Sequence, residues 1–107
     1  MKYAIIQKVP FKLPGHKGQV VYANVLCERE GYVLVLVPKL HESRTHYLFI
    51  AELNSTDHVF ESIGDFRFDL DTDNIGEVGD KMKILGKEFF YADVANEMRR
   101  RRHNDEF

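Results

Sequence analysis

Two apolar segments separated by a four-residue connection constrain the fold of this chain more than any other feature. Residues 20–27 and 32–37 are rich in β-branched and aromatic residues, and the connection Glu28-Arg29-Glu30-Gly31 is polar and ends in glycine. This pattern is typical of a β-hairpin. Because nearly every position of both arms is apolar, we expect both faces of the sheet to be covered there.

The remaining part of the first two-thirds also favours β-structure. Short apolar or alternating segments predict further strands at residues 3–9, 46–51, 66–70 and 81–85. Ser55 and Thr56 are candidate N-caps for a short helical turn that ends at Gly64. Residues 71–80 have the Asp, Asn and Gly content of a loop.

The hydrophobic period changes in the last quarter of the chain. Phe90, Val94 and Met98 recur every four residues, which predicts one apolar face of a helix over residues 88–102, with Asp93 and Glu97 on its outer face. We therefore expect an α+β fold. It would consist of a small antiparallel sheet, or partly closed barrel, of five to six strands with one C-terminal helix packed on it.

Length and composition place limits on the class of protein. A chain of 107 residues fits one domain, residues 1–107. Cys27 is the only cysteine, so an internal disulfide is excluded, and its apolar strand predicts a buried, unreactive thiol. The first apolar run ends after four residues, and nothing approaches a membrane span. We expect a cytoplasmic protein with no membrane partner.

Charge is sorted along the chain although the net charge is only −2. Residues 1–27 contain four lysines and no carboxylate, whereas residues 52–80 contain nine carboxylates and one basic residue, Arg67. A further basic run, Arg99 to Arg102, lies near the C-terminus. Because local fields decide which charged partner a surface attracts, these blocks mark the candidate binding regions.

The basic blocks provide the candidate partner-binding residues. Arg101 and Arg102 lie three and four residues after Met98, so they continue the apolar face of the helix and indicate that it runs past the core. An anion could then bind at its end, although basic residues in a last turn also offset the helix dipole. In the Gly-containing loop after residue 11, Lys12, His16 and Lys17 are the second candidate group.

The acidic block contains the only pattern that approaches a metal site. Asp69, Asp71 and Asp73 have the spacing of the first three ligands of an EF-hand loop, and Asp80 falls at its twelfth position. Asn74 replaces the glycine of the sharp turn, and the shorter Asp80 replaces the bidentate Glu. The alternatives are a weak divalent-cation site at these four aspartates and a solvated acidic loop.

No group of residues in the sequence identifies a reaction. The five histidines lack the spacing of a zinc site, and no serine lies in the setting of an activated nucleophile. The first hypothesis is therefore a non-catalytic module that binds another protein, such as a regulator, inhibitor or accessory subunit. The alternatives are a nucleic-acid-binding module, with Phe11 or Tyr22 as a stacking platform, and an enzyme that uses the aspartates with a divalent metal. A homodimer is also compatible with the sequence.

Overall fold

Six strands and two α-helices make up the fold in a computed structural model, which describes residues 7–15, 17–39, 42–64 and 66–104. The strands are β1 (Lys8–Lys12), β2 (Val20–Arg29), β3 (Tyr32–Lys39), β4 (Glu42–Asn54), β5 (Val59–Ser62) and β6 (Phe68–Asp69). The helices are α1 (Ile75–Leu85) and α2 (Tyr91–Asn104), joined through a short 3-10 helix, Glu88–Phe90.

Strands β1 to β5 form a closed barrel, and β6 adds to β4 outside it. Consecutive strands pair antiparallel, β3 also pairs with β4, and β5 pairs in parallel with β1 through Phe11 opposite Phe60 and Lys12 opposite Glu61. Five strands that alternate in direction leave the first and the last running the same way, so the closing pair is parallel. The expected α+β sheet or barrel is confirmed in outline, but the barrel is mixed rather than wholly antiparallel.

The barrel interior is one of two hydrophobic cores. Alternate residues of the strands point inward and are buried. At its centre the rings of Phe11 and Phe49 lie 5.1 Å apart in a tilted arrangement. The buried members of this inner core are Val9, Phe11, Ala23, Val33, Val35, Val37, Phe49 and Ala51.

The second core lies between the outer face of β3 and β4 and the two helices. Leu34 and Leu36 of β3 and Leu48 and Ile50 of β4 are buried against residues of α1 and α2, such as Met82 and Met98. Strand β3 is apolar at successive positions because it is covered on both faces, as expected. Strand β2 is covered only in part, since Leu26 and Cys27 pack against this core while Tyr22 is exposed.

Helix α1 corrects the expectation of a loop at 71–80 followed by a strand at 81–85. Asn74 caps the helix by accepting a hydrogen bond from the Glu77 backbone N–H, and Gly86 ends it in the left-handed conformation. Val78 and Met82, one turn apart, are the residues that α1 buries. The fold therefore has two α-helices instead of one.

Of two other expectations about secondary structure, the helical turn was wrong and the strand at 66–70 is confirmed only in part. Residues 55–58 form a turn in which Asn54 Oδ1 accepts from the Thr56 N–H, and the predicted helical turn is replaced by β5. The strand expected at 66–70 is limited to β6. The helix expected at 88–102 is confirmed as the 3-10 helix followed by α2, with Phe90, Val94 and Met98 buried. None of the helices within the described residues has the length and apolar character needed to cross a membrane.

Candidate functional site

The side of the barrel formed by β1 and β2 presents an exposed surface that combines apolar and basic side chains. We call it the outer β1–β2 face and define it by Lys8, Pro10, Lys12, Val20 and Tyr22. Tyr22 is 72% exposed and Val20 is 47% exposed, whereas the alternate residues Phe11 and Ala23 are buried in the barrel. Alternation along the two strands thus assigns one set of side chains to the core and the other to solvent.

The register of β1 and β2 brings these five side chains together. Pro10 is directly opposite Tyr22, Lys12 is opposite Val20, and Lys8 is opposite Asn24. Directly opposite residues have Cβ atoms about 5 Å apart, and diagonal neighbours remain within reach of long side chains. The exposed tyrosine therefore has an apolar neighbour across the strand pair and a lysine on either side of that neighbour.

The loop that joins β1 to β2 adds a shallow groove at one end of this face. The groove has a volume of about 260 Å³ and is lined by Lys12, Leu13, Pro14, Gly15, Gly18, Glu61 and Ser62. Gly18 has a φ of +74°, and a Cβ there would lie 3.2 Å from Lys12 Cε. A side chain at position 18 would therefore crowd Lys12. The Lys12 Nζ atom lies 3.6 Å from Glu61 Oε1.

Of the predicted residues in this loop, Lys12 and Lys17 are exposed. Lys17 has a φ of +54°, in the left-handed region. His16, the third predicted residue, lies outside the described residues. The basic loop thus joins the end of β1 to the beginning of β2, the strand that carries Tyr22.

We expected the end of α2 to run past the core, but two of its arginines instead contact other parts of the chain. Arg101 Nε donates to Glu97 Oε2 at 2.7 Å, and its Nη1 lies 3.3 Å from His46 Nδ1 of β4. Arg102 Nη2 donates to the backbone oxygen of Leu70 at 3.2 Å and to that of Asp73 at 2.5 Å. These two guanidinium groups bind groups of their own chain.

Glu97 holds two residues of the arginine run in place, because it accepts hydrogen bonds from both Arg100 and Arg101. It is buried, with 8% exposure, which corrects its expected place on the outer face of α2. Burial tends to raise the pKa of its carboxyl group, but hydrogen bonds from Arg100 and Arg101 outweigh this and lower the pKa below its usual value. Arg100 is 60% exposed despite this contact, and Arg99 is exposed. Of the four predicted arginines, these two are therefore the more accessible.

The first three aspartates of the predicted cation site lie in an acidic turn, and the ammonium group of Lys39 lies beside two of them. Lys39 Nζ lies 2.8 Å from Asp69 Oδ2 and 3.4 Å from Asp71 Oδ2. Asp69 also accepts hydrogen bonds from the backbone N–H groups of Asp71 and Thr72. Asp73 accepts a hydrogen bond from the Asp69 N–H, and Asp71 Oδ2 has no hydrogen-bond donor among the residues that the structure describes.

The electrostatics of this turn favour the ionised aspartate. Desolvation tends to raise the pKa of Asp69, but the hydrogen bonds from Lys39 and the backbone lower it overall. Asp80, the fourth predicted ligand, is instead an exposed residue of α1. Within the described ranges, no three His, Cys, Asp or Glu residues are grouped so as to hold a metal ion.

Further titratable groups lie where β2 meets α2 and on β4. Arg29 and Asp93 form a two-bond ion pair, with Nε to Oδ2 at 2.6 Å and Nη2 to Oδ1 at 3.0 Å. Burial, followed by the nearby Asp93 charge, raises the pKa of the Cys27 thiol to about 11. Burial and the Arg101 charge lower the pKa of His46. Cys27 is half-buried rather than buried as expected, and its raised pKa agrees with the expectation of an unreactive thiol.

Comparisons with known proteins identify no relative. No protein-family model, no curated protein and no solved structure matches the chain.

The structure separates the predicted binding residues into two groups. Lys12 lies on the same face as Tyr22, which the sequence had suggested only as a stacking platform, and Lys17 lies in the adjoining loop. Arg101 and Arg102 instead contact β4 and the acidic turn from the end of α2. Pro10, Val20 and Lys8 were missed as surface residues. In the sequence, the alternation of Lys8, Pro10 and Lys12 with the apolar Val9 and Phe11 was the signal that could have identified the two outer residues of β1.

Proposed function

We propose that this chain is a non-catalytic module that binds another protein through the outer β1–β2 face. The main support is the 72% exposure of Tyr22 at the centre of that face, opposite Pro10. Shielding such a large, exposed aromatic ring from water in a complex is energetically favourable. Tyrosine is also among the residues that contribute most strongly to binding in protein interfaces.

The arrangement around Tyr22 supports the same function. Protein interfaces commonly have a centre rich in aromatic and apolar side chains and a polar rim that stays accessible to water. Tyr22, Pro10 and Val20 would supply the centre, while Lys8 and Lys12 would supply the rim. The proposal uses this face rather than the end of α2, because Arg101 and Arg102 already bind groups within the chain.

A nucleic-acid-binding module is the second candidate, and Tyr22 between lysines is the observation that favours it. Single strands are commonly bound by several aromatic platforms along a basic groove. Phe11, the other aromatic residue suggested for stacking, is fully buried in the barrel. The sequence pI of about 6.2 is also far below the basic values typical of such domains. Protein binding is therefore the better-supported function.

The proposal is tested by affinity capture with tagged wild-type protein, Tyr22→Ser and Ile84→Ser, each with and without nuclease. Ile84 is the matched control because it is an apolar residue of α1 that is 76% exposed. We expect protein partners that survive nuclease, bind the wild type and Ile84→Ser equally, and are reduced about tenfold or more by Tyr22→Ser.

Two results would contradict this function. Capture that disappears with nuclease would make nucleic acid the bound material. A partner lost equally from both variants, or from neither, would place the interface away from Tyr22. Circular dichroism of the three proteins checks that the folded fraction is unchanged, as expected for substitutions at exposed positions.

A further inference from the structure

The lysines on and beside the outer β1–β2 face define the chemistry of the partner. Lys8 and Lys12 point outward from the two ends of β1, and Lys17 is exposed in the adjoining loop. Neither Lys8 nor Lys17 has an ion-pair partner among the residues that the structure describes. Lys12 has one, Glu61, at 3.6 Å, and both side chains of that pair are more than one-third exposed.

The exposed Lys12–Glu61 pair is weak enough to be replaced. Surface ion pairs of this kind contribute little to stability because water screens them. A carboxylate of a partner could therefore contact Lys12 without a large loss within the chain. Glu61 is also directly opposite Glu52 on β4, so the surface beyond β1 on that side is acidic. An acidic partner would be repelled there and attracted toward the β2 side.

The spacing of the lysines matches an extended segment. A strand rises about 3.3 Å per residue, so Lys8 and Lys12 are separated by about 13 Å along β1. Carboxylates four residues apart in an extended partner have the same separation. Between the two lysines lie Pro10 and Tyr22, which would receive an apolar side chain of that partner. Lys17 would extend the basic region by one further contact beside the groove.

Building on the proposed function, we infer that the partner is a protein that presents an extended acidic segment with an apolar anchor, laid along the outer β1–β2 face. Carboxylates of the segment contact Lys8, Lys12 and Lys17, and its apolar anchor packs on Tyr22 and Pro10. Charge complementarity decides between possible occupants, because a basic segment would face three lysines on this surface. The association rate should accordingly fall as the salt concentration rises.

The inference is tested with three probes of equal length. They are a 12-residue blocked peptide with Glu at every fourth position and one Tyr between the glutamates, the same peptide with Lys in place of Glu, and a 12-nucleotide oligo-dT. Binding to isotope-labelled protein is followed by the amide resonances of β1 and β2. We expect the acidic peptide to shift these resonances and to bind about tenfold or more tightly than its lysine version.

Matched charge reversals test the role of the lysines. Lys8→Glu/Lys17→Glu should weaken binding of the acidic peptide by about tenfold or more, and Lys83→Glu/Arg99→Glu should change it by less than about twofold. Lys83 and Arg99 form the control because both are exposed on the helices. Binding of the lysine peptide or of oligo-dT instead, no binding up to millimolar peptide, or dimerisation that occupies this face in light scattering, would each overturn the inference.

The two proposals fail in different ways. If Tyr22→Ser abolishes capture of a protein partner and Lys8→Glu/Lys17→Glu does not, the face binds protein but the partner is not acidic. If the charge reversal abolishes capture and Tyr22→Ser has no effect, the face lacks the apolar centre on which the proposed function depends.

Discussion

Glu97 illustrates how a single buried carboxylate can determine the position of neighbouring charges. From the helical period we predicted that Glu97 lies on the outer face of α2. That prediction failed because the period of one segment contains no information about which element packs beside it. The fold brings β4 alongside, so that Arg101 lies between Glu97 and His46. An ionised carboxylate in such a position is stable only with hydrogen-bonded partners, which Arg100 and Arg101 supply.

Substitution of two neighbouring arginines should have unequal effects on stability. Arg101→Gln leaves Glu97 with fewer charged partners and should lower the free energy of unfolding by about 1–3 kcal/mol. Arg99→Gln changes an exposed side chain and should alter it by less than about 0.5 kcal/mol. Urea unfolding followed by circular dichroism measures both values. An equal effect of the two substitutions would mean that the Glu97–Arg101 contact adds nothing specific.

For helix α1, the sequence contained signals for where the helix begins and ends, but its glycines concealed that the segment is helical. Asn74 followed by Glu77, and Gly86 at the end, are start and stop signals. Gly76 and Gly79 gave the segment the composition of a loop. The structure explains Gly79, because a Cβ there would lie 3.0 Å from the Tyr91 ring. That contact between α1 and the start of α2 depends on tertiary packing and cannot be derived from either segment alone.

The capping residue of α1 provides a test at this scale. Asn74→Ala removes the side-chain acceptor for the Glu77 N–H and should lower the free energy of unfolding by about 1 kcal/mol. Asn96→Ala is the matched control, since Asn96 is exposed within α2 and alanine favours a helix interior. Thermal and urea unfolding compare the two variants. A larger loss from Asn96→Ala would contradict the assigned role of Asn74 as the cap.

The molecule as a whole has two cores that share β3 and β4. The hairpin of β2 and β3 and the apolar face of α2 were predictable, because each depends on periodicity within a short segment. Closure of the barrel could not be predicted, because β1 and β5 are separated by some 50 residues and pair through only two positions. The candidate site was predictable in part. Lys12 and Lys17 were named from charge, whereas the central position of Tyr22 depends on the register of β1 and β2.

Two phenylalanines should differ sharply in their contribution to the whole fold. Phe11 is fully buried beside Phe49 in the barrel, so Phe11→Ala should cost about 3–5 kcal/mol or prevent folding. Phe89→Ala removes a ring that is 38% exposed and should cost about 1 kcal/mol or less. Denaturant unfolding of both proteins gives the comparison. A small effect of Phe11→Ala would show that the barrel interior contributes little to stability.

Closure of the barrel also determines which modes of recognition remain open. Strands β1 to β5 each pair with a strand on either side over part of their length, so none of them is an open edge from end to end. The outer β1–β2 face is the face of a sheet and not its edge, so a partner bound there as proposed would be selected by side chains. Because those side chains lie outside both cores, substitutions among them should leave the fold intact. Under the proposed function, the specificity of this face could therefore diverge during evolution independently of the stability of the barrel.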